Sequence, residues 1–292
     1  MKDFKEKVVV ITGAATGIGA SFAKECAKRG MKIALIDIAQ EELNSVAETC
    51  VTLGALKVVT IVTDVSDRGQ VKASVKQIMD EYGEINLMFS NAGVWAAGGI
   101  MQPIQDWEWT VGVNVMGTLY YIQEILPIFE KQKTPCHYLI TSSVAGLMTP
   151  TSSSGAYLSL KHAVTALAEE VRDYSTKCGF DMGVSVFCPD IVATNIAYSN
   201  DRRPEKYAQN GDPFYETEGY HKVVDWFAGH IAKGYNPDGV ALRLFRAIED
   251  NQMYIVSHPY THEWIKARYA AIEDDMQKEA AIYEEMKPYY EA

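Results

Sequence analysis

The chain lacks the features that define several classes of protein. Its five cysteines are odd in number and scattered, and no two form a Cys-x-x-Cys pair, so we expect no metal site and no redox centre. No run of about 18 apolar residues could cross a membrane, and the first seven residues contain no apolar signal region. The sequence therefore predicts a cytoplasmic protein with reduced, packed cysteines at Cys26, Cys50, Cys136, Cys178 and Cys188.

Positive charge is also scarce. The chain has 27 Lys and Arg residues against 38 Asp and Glu residues, which gives a net charge of −11. Nucleic acids and anionic membranes bind clustered basic side chains, and the sequence contains no run of Lys or Arg. We therefore expect neither nucleic acid nor membrane as a partner, and we expect a small molecule as the substrate.

Short apolar runs alternate with amphipathic stretches along most of the chain. The runs predict strands at 7–12, 31–37, 58–64, 86–91, 137–142, 183–188 and 253–257. Helices are predicted at 17–29, 41–53, 70–82, 107–130 and 155–178. Such βαβ units build an α/β fold of the Rossmann type, a doubly wound parallel sheet with helices on both faces. With 48% hydrophobic residues among 292, we expect a single domain over 1–292.

The alternation stops after Pro189. Residues 190–235 begin with a segment rich in Asp, Arg, Pro, Asn and Tyr, which we interpret as a lid over the substrate. Helical patterning resumes near Gly219, and the chain ends in a charged amphipathic stretch, 261–292. We expect this C-terminal helical extension to be an oligomer contact or a solvated tail.

A glycine-rich turn joins the first predicted strand to the first helix. Glycines there let the chain turn tightly, bring the backbone close to a pyrophosphate and direct helix N–H groups at it. The turn has the pattern Thr-Gly-x-x-x-Gly-x-Gly, which is narrower than the general dinucleotide fingerprint. The residues expected to hold a dinucleotide are Gly13, Thr16, Gly17, Ile18 and Gly19.

Asp37 ends the second predicted strand, about 20 residues after that turn. A carboxylate at this place accepts hydrogen bonds from the adenosine ribose and repels a 2′-phosphate. Neither the turn nor the residue after Asp37 supplies an Arg or Lys that would neutralise the phosphate. The sequence therefore predicts NAD rather than NADP as the cofactor.

Tyr157 and Lys161 stand four residues apart, so they share one face of a predicted helix. The Lys161 ammonium beside the phenol favours the ionised phenol, and we expect it to lower the Tyr157 pKa toward neutrality. Tyr157 could then act as a general base. Tyr283 and Lys287 have the same spacing, but they lie in an acidic tail with no preceding serine, whereas Ser143 precedes Tyr157 by one loop.

The order of these motifs, from about Lys5 to Thr194, resembles the short-chain dehydrogenase/reductase family of the compact, NAD-dependent kind. The resemblance implies that Asp64-Val65 contacts adenine and that Asn91-Ala92-Gly93 lines the adenosine side. It also implies cofactor contacts at the end of the sixth strand from Pro189, Val192 and Thr194.

The same resemblance implies a catalytic tetrad. Tyr157 would be the acid/base on the substrate oxygen, and Ser143 would hydrogen-bond that oxygen. Lys161 would also bind the nicotinamide ribose, and Asn114 would hold a water that links Lys161 to solvent. Two positions depart from the family pattern: Ser90 precedes Asn91 where Asn is usual, and Asp190 follows Pro189 where Gly is usual.

The substrate is expected to be a bulky, hydrophobic secondary alcohol or its ketone, of the hydroxysteroid, bile-acid, aryl-carbinol or alicyclic kind. Apolar and aromatic segments should border the nicotinamide, and the predicted substrate contacts are Ser143, Tyr157, Trp95 and Tyr198. Two alternatives stay open: a non-catalytic protein that senses NAD(H) on the same fold, and a reductase of fatty-acyl or sugar carbonyls. The resemblance further implies a homo-oligomer, either a tetramer or a dimer.

Overall fold

The computed structural model describes residues 1–149 and 155–291. Seven strands form one sheet in the order β3-β2-β1-β4-β5-β6-β7, and every pair of neighbouring strands is parallel. The predicted doubly wound α/β fold is therefore confirmed. The strands are β1 Val8–Thr12, β2 Lys32–Asp37, β3 Lys57–Val62, β4 Leu87–Ser90, β5 Cys136–Thr141, β6 Met182–Cys188 and β7 Tyr254–Val256.

Alternate residues of each strand point to opposite faces, and both faces are covered by helices. Val9 and Ile11 of β1 pack in one apolar cluster with residues of α1, α2 and α8, whereas Val10 packs in a second cluster with residues of α3, α5 and α6. This explains why the strands are almost continuously apolar. The helices are α1 Gly17–Lys28, α2 Gln40–Thr52, α3 Arg68–Tyr82, α4 Ile104–Thr110, α5 Gly117–Gln132, α6 Gly155–Lys177, α7 Glu218–Ile231, α8 Pro237–Glu249 and α9 His262–Tyr290.

The helix predicted at 107–130 consists of three segments. Between α4 and α5 the chain forms a π-helical turn, Val111–Met116. Such turns shift side chains relative to a regular helix and are frequent at functional sites. This one contains Asn114, a predicted member of the tetrad.

The segment predicted as a lid leaves the sheet after β6. It forms three short 3₁₀ turns, Ile196–Arg202, Glu205–Tyr207 and Pro213–Glu216, followed by α7. Its two ends meet, because Ala193 N donates to Tyr235 O at 2.9 Å and Tyr235 N donates to Ile191 O at 3.0 Å. The segment is therefore a closed loop whose base lies beside the end of β6.

The C-terminal stretch predicted as helical forms α9, while Ala292 lies outside the described residues. None of the residues of α9 is buried. Among the residues that the structure describes, no helix combines the length and the apolar character needed to span a bilayer. All five cysteines are free thiols, and four of them are buried.

Candidate active site

A cavity of about 820 Å³ opens where β1 to β6 end. In open α/β sheets ligands bind at this edge, and the volume suits a dinucleotide together with a small molecule. Most of the predicted site residues line it: Gly13, Thr16, Gly17, Ile18, Asp37, Asp64, Val65, Asn91, Ala92, Gly93, Trp95, Ser143, Tyr157, Lys161, Pro189, Val192, Thr194 and Tyr198. Gly19 and Asn114, also predicted, are buried and do not line it.

The glycine turn forms a cradle that larger residues would fill. Gly13 and Gly17 have positive φ angles of 65° and 57°, which side chains with a β-carbon rarely adopt. A β-carbon on Gly13 would lie 2.8 Å from Ala92 Cα, and one on Gly19 would lie 2.1 Å from Gly13 O. The turn thus brings bare backbone and the N-terminus of α1 to the cavity, as a pyrophosphate requires.

Asp37 holds a negative charge at the end of β2. Its carboxylate accepts hydrogen bonds from the backbone N–H groups of Ala15 at 3.1 Å, Ile38 at 2.8 Å and Ala39 at 3.1 Å. These bonds fix the carboxylate beside the glycine turn. The geometry fits recognition of an unphosphorylated adenosine ribose.

Asp64 is engaged by the protein itself. Ser66 donates to its Oδ1 from both N, at 2.9 Å, and Oγ, at 2.6 Å, and Lys206 Nζ of the lid lies 2.9 Å from its Oδ2. Burial alone would raise the Asp64 pKa, but these hydrogen bonds and the Lys206 charge outweigh burial and lower it. A lid cation therefore meets the carboxylate that the family resemblance assigns to adenine.

Two threonines that the sequence reasoning missed also shape the adenosine end. Thr12 Oγ1 accepts from the N–H groups of Asn91 at 2.9 Å and Ala92 at 3.0 Å, and thus joins the ends of β1 and β4. Thr63 lines the cavity, and its buried hydroxyl makes no hydrogen bond with any described residue. Buried polar groups normally find a partner, so Thr63 is an exception at this wall of the cavity. Thr12 is the first residue of the glycine-turn pattern Thr-Gly-x-x-x-Gly-x-Gly, whereas Thr63, alone at a strand end, carries no distinctive sequence signal.

The Asn91 side chain, at the end of β4, forms hydrogen bonds at the ends of β1 and β5. Its Nδ2 donates to Thr12 O at 3.1 Å and Gly13 O at 3.3 Å, and its Oδ1 accepts from Thr141 Oγ1 at 3.2 Å. The side chain therefore ties β4 to β1 and β5. Its position on the cavity wall follows from this bonding.

Ser143, Tyr157 and Lys161 come together at the other end of the cavity. Ser143 follows β5, and its Oγ donates to Pro189 O at 3.2 Å and accepts from Ala145 N at 3.1 Å. The Ser143 side chain lies close enough to the Tyr157 hydroxyl to lower the pKa of Tyr157. Lys161, one helical turn after Tyr157 in α6, donates from Nζ to Thr141 O at 3.1 Å and lies 5.5 Å from the centroid of the Tyr157 ring.

The pKa of Tyr157 differs from the expectation. The pKa is raised to about 12, mainly by burial; the Ser143 side chain lowers it, and the negative charge of Asp190 raises it. Lys161 is not among the groups that lower it, and burial lowers the pKa of Lys161 itself to about 8. The expected activation of the phenol by Lys161 alone is therefore not seen.

Asn114 forms two hydrogen bonds with the backbone of Val94, in the loop after β4. Its Oδ1 accepts from Val94 N at 2.8 Å, and its Nδ2 donates to Val94 O at 2.9 Å. A β-carbon on Gly93 would lie 3.3 Å from Asn114 Oδ1 and 3.7 Å from Lys161 Nζ, so both side chains approach the space where a side chain of this residue would lie. The water-holding role of Asn114 stays a prediction.

Aromatic side chains dominate the substrate end. Trp95 is buried and stacks on Phe227 of the lid, with ring centroids 4.2 Å apart, and Trp226 of α7 is 57% exposed at the rim. Tyr198, a predicted substrate contact, is also largely exposed and lines the cavity. Tyr260 and Trp264 complete the opening. Sequence reasoning missed these two because they lie beyond the last strand.

A buried ion pair fastens the lid to the body. Arg203 Nη2 lies 2.5 Å from Asp106 Oδ1, and the two side chains are 5% and 1% exposed. Tyr215 OH donates to the same Asp106 oxygen at 2.9 Å, and the Arg203 guanidinium lies 4.2 Å from the centroid of a Trp109 ring. The lid is thus positioned by polar bonds that are protected from water.

Comparison with known proteins gives one consistent result. The sequence pattern of the family described as short chain dehydrogenase matches residues 7–205. The chain is 34% identical over 276 residues to the CLA biosynthesis dehydrogenase/reductase of Lactiplantibacillus plantarum, covering 94% of this chain and 96% of that protein. It is 30% identical over 278 residues to the C alpha-dehydrogenase of Sphingobium sp. (strain NBRC 103272 / SYK-6), covering 94% of this chain and 88% of that protein.

A solved structure is similar over nearly the whole chain. The crystal structure of a short chain dehydrogenase/reductase from Burkholderia phymatum, in complex with NAD, is 35% identical, with a TM-score of 0.90. The match covers 94% of this chain and 97% of that one.

Proposed function

We propose, from the premise that this chain belongs to the short-chain dehydrogenase family, that it is an NAD-dependent oxidoreductase for a bulky, hydrophobic secondary alcohol and its ketone. The observation that carries the proposal is the grouping of Ser143, Tyr157 and Lys161 at the aromatic end of the cavity. That grouping supplies an acid/base, an oxygen-binding hydroxyl and a buried ammonium in one place.

The proposed chemistry follows from these side chains. The Ser143 hydroxyl hydrogen-bonds the substrate oxygen, and Tyr157 takes the proton of the alcohol in oxidation or returns one to the ketone in reduction. NAD, when bound, accepts the hydride from the carbinol carbon. Lys161 Nζ lies 5.5 Å from the centroid of the Tyr157 ring, and its proposed role is to bind the nicotinamide ribose of the cofactor.

The preference for NAD is supported by the adenosine end. The Asp37 carboxylate stands beside the glycine cradle, held by three backbone N–H groups. A 2′-phosphate brought to this carboxylate would meet like charge. The similar Burkholderia phymatum protein has NAD bound, which agrees with this assignment.

The substrate class is supported by the rim of the cavity and by the relatives. Trp95, Phe227, Trp226 and Trp264 offer flat apolar surfaces, which bind ring systems or long apolar groups. Two of the relatives are a C alpha-dehydrogenase and a CLA biosynthesis dehydrogenase/reductase. We propose hydroxysteroid-like or bile-acid-like alcohols and aryl or alicyclic carbinols as the class to test.

The decisive variant is Tyr157→Phe. NADH formation is followed by absorbance with NAD and a panel of hydroxysteroids, bile acids, aryl carbinols, alicyclic alcohols, sugars and hydroxyacyl thioesters. We expect turnover of the active class to fall at least about 10²–10⁴-fold, because proton transfer loses its acid/base. NAD binding, measured by calorimetry, should persist. Tyr283→Phe, which changes the tyrosine of the same spacing in α9, is the matched control and should keep full activity.

Two results would contradict the proposal. Near-normal turnover of Tyr157→Phe would remove Tyr157 from the mechanism. Tight binding of NAD by the unaltered protein without turnover on any substrate of the panel would favour a sensing role, and activity on the thioesters or sugars alone would favour the other reductase class.

We also propose that the protein works in the cytoplasm as a homotetramer or homodimer. The motifs that place the chain in the family imply this assembly. A monomeric mass by light scattering after size exclusion would contradict it.

A further inference from the structure

The second residue after β6 is unusual for the family that the chain resembles. Asp190 stands where glycine is usual. The preceding carbonyl, Pro189 O, accepts from Val144 N at 2.8 Å and from Ser143 Oγ at 3.2 Å. These bonds fasten the backbone at Asp190 to the catalytic serine, and the Asp190 side chain lines the same cavity as Tyr157.

The Asp190 carboxylate is held in place from outside the sheet. Tyr260 OH donates to Asp190 Oδ2 at 2.6 Å. Tyr260 follows β7 and itself lines the cavity, and its ring lies edge-on to Trp264, with centroids 5.6 Å apart. The C-terminal part of the chain therefore contacts the end of the cavity that contains Tyr157, through the hydrogen bond from Tyr260 to the Asp190 carboxylate.

The neighbouring histidine does not cancel the charge of Asp190. His258 is buried and stacks on Tyr235 at 4.0 Å. Asp190 N donates to His258 Nδ1 at 3.2 Å, so the ring proton lies on Nε2, which donates to Ile191 O at 3.1 Å. Burial lowers the His258 pKa despite the raising effects of Ile191 O and Asp190. The ring is thus neutral at neutral pH.

We propose that Asp190, positioned by Tyr260, is an electrostatic control residue for the acid/base of the reaction. Its carboxylate opposes formation of a phenolate at Tyr157, so alcohol oxidation requires a more alkaline solution and ketone reduction remains active to higher pH. This inference rests on the proposed function. Asp190 acts through Tyr157 and is therefore a positioning residue.

The other charged and titratable groups around Tyr157 do not account for this effect. Lys161 has the opposite sign. Cys188, at the end of β6, lies near Lys161, and burial raises the pKa of its thiol to about 12, so it is neutral. Across the cavity, the lid contributes Asp201 and His230. Of these groups, Asp190 is the acid whose charge raises the Tyr157 pKa.

The test is the pH profile of kcat/KM for alcohol oxidation in the unaltered protein and in Asp190→Asn. The amide preserves size and can accept the Tyr260 hydrogen bond, but it removes the charge. In Asp190→Asn we expect the acidic limb of the oxidation profile, which follows the Tyr157 pKa, to move to lower pH by about one unit. Activity on that limb should then rise as much as about tenfold at fixed pH. The alkaline limb of ketone reduction should move down with it.

Three further variants separate charge from structure. Tyr260→Phe keeps the charge of Asp190 and removes the hydrogen bond to its carboxylate. The acidic limb of its oxidation profile should therefore lie at the same pH as in the unaltered protein, or at a higher pH. Asp201→Asn removes a charge from the lid side of the same cavity and should leave the limb in place. If Asp190→Asn does not fold, Asp190→Gly replaces it with the residue usual in the family. A change of rate that is equal at every pH in the Asp190 variants would overturn the inference.

A measurement without turnover separates this inference from the proposed function. Titration of ¹³C-labelled tyrosine by NMR, with the Tyr157 signal identified by its loss in Tyr157→Phe, follows the phenol directly. A lower midpoint in Asp190→Asn supports the inference even if no substrate is turned over. An unchanged midpoint overturns it even if the protein is an active dehydrogenase.

Discussion

At the residue scale, the Asp37 carboxylate is expected to discriminate between NAD and NADP, which differ by one phosphate. Asp37 is fixed by three backbone N–H groups, so its charge cannot swing away from an incoming 2′-phosphate. Asp37→Ser removes the charge and leaves a hydroxyl that can still bind a ribose. We expect the ratio of kcat/KM with NADP to that with NAD to rise by about 10–100-fold, which corresponds to about 1.4–2.8 kcal/mol.

The control for this prediction is Glu41→Gln, which removes an exposed charge from the first turn of α2. The ratio should not change in that variant, because the charge is screened by water. A ratio that stays constant in Asp37→Ser would show that another group selects the cofactor.

Single residues also mark the limit of prediction from sequence. The spacing of Tyr157 and Lys161 and the placement of Ser143 could be recognised because they are local patterns that recur on a known helix face. The pKa of Tyr157 could not be predicted, because burial by several elements sets it. Asp106 and Tyr260 were missed for a similar reason: each gains its role from a partner distant in sequence.

At the element scale, the lid is held by a bond that water cannot reach. Arg203→Met leaves the Asp106 carboxylate buried without its cation, and breaking such a pair costs about 3–5 kcal/mol. We expect the lid to open locally, with faster cleavage by protease within 190–235 and a higher KM for the substrate. Limited proteolysis measures the opening of the lid, steady-state kinetics measure the KM, and urea unfolding measures the loss of stability.

Arg202→Met is a matched control in the adjacent residue. Arg202 pairs with Glu42 at 2.9 Å, but both side chains are substantially exposed, and such pairs contribute at most about 1 kcal/mol. Its proteolysis pattern should remain that of the unaltered protein. Equal effects of the two substitutions would mean that the buried pair does not fasten the lid.

The elements themselves were largely predictable, because strands buried on both faces read as short apolar runs separated by helical periodicity. The division of the 107–130 helix was not. A π-helical turn uses the same residue types as an α-helix, and here the bonding of Asn114 to the backbone of Val94 accompanies it. The 3₁₀ turns of the lid were likewise too short to leave a periodic signal.

At the scale of the whole molecule, α9 has apolar residues that the body of the protein does not cover. They recur with alternating spacings of four and three, interrupted at Glu279, a repeat typical of helices that pair along one seam. Met276, near the middle, is 66% exposed. The residues of this stripe are Tyr269, Ile272, Met276, Tyr283, Met286 and Tyr290; Ile265 continues the repeat toward the start of α9 but packs against the body.

We expect the stripe to be a contact between copies of the chain. Met276→Lys places a charge in the seam and should lower the mass measured by light scattering, or make that mass depend on concentration. Ala281→Lys adds the same charge away from the stripe and should leave the mass unchanged. If Met276→Lys assembles as the unaltered protein does, α9 is a solvated extension and the copies meet elsewhere.

The glycine cradle limits how far a chain of this kind can vary. Gly13 admits no side chain because Ala92, 79 residues later, occupies that space, and Gly19 is closed by the carbonyl of Gly13. Neither position can be exchanged alone, and no single second change makes room, because the obstacles are backbone atoms. Substitutions that change the cofactor preference of this enzyme are therefore confined to Asp37 and its neighbours. During evolution the residues of the cradle must stay the same, while residues of the lid and of the cavity rim can be replaced.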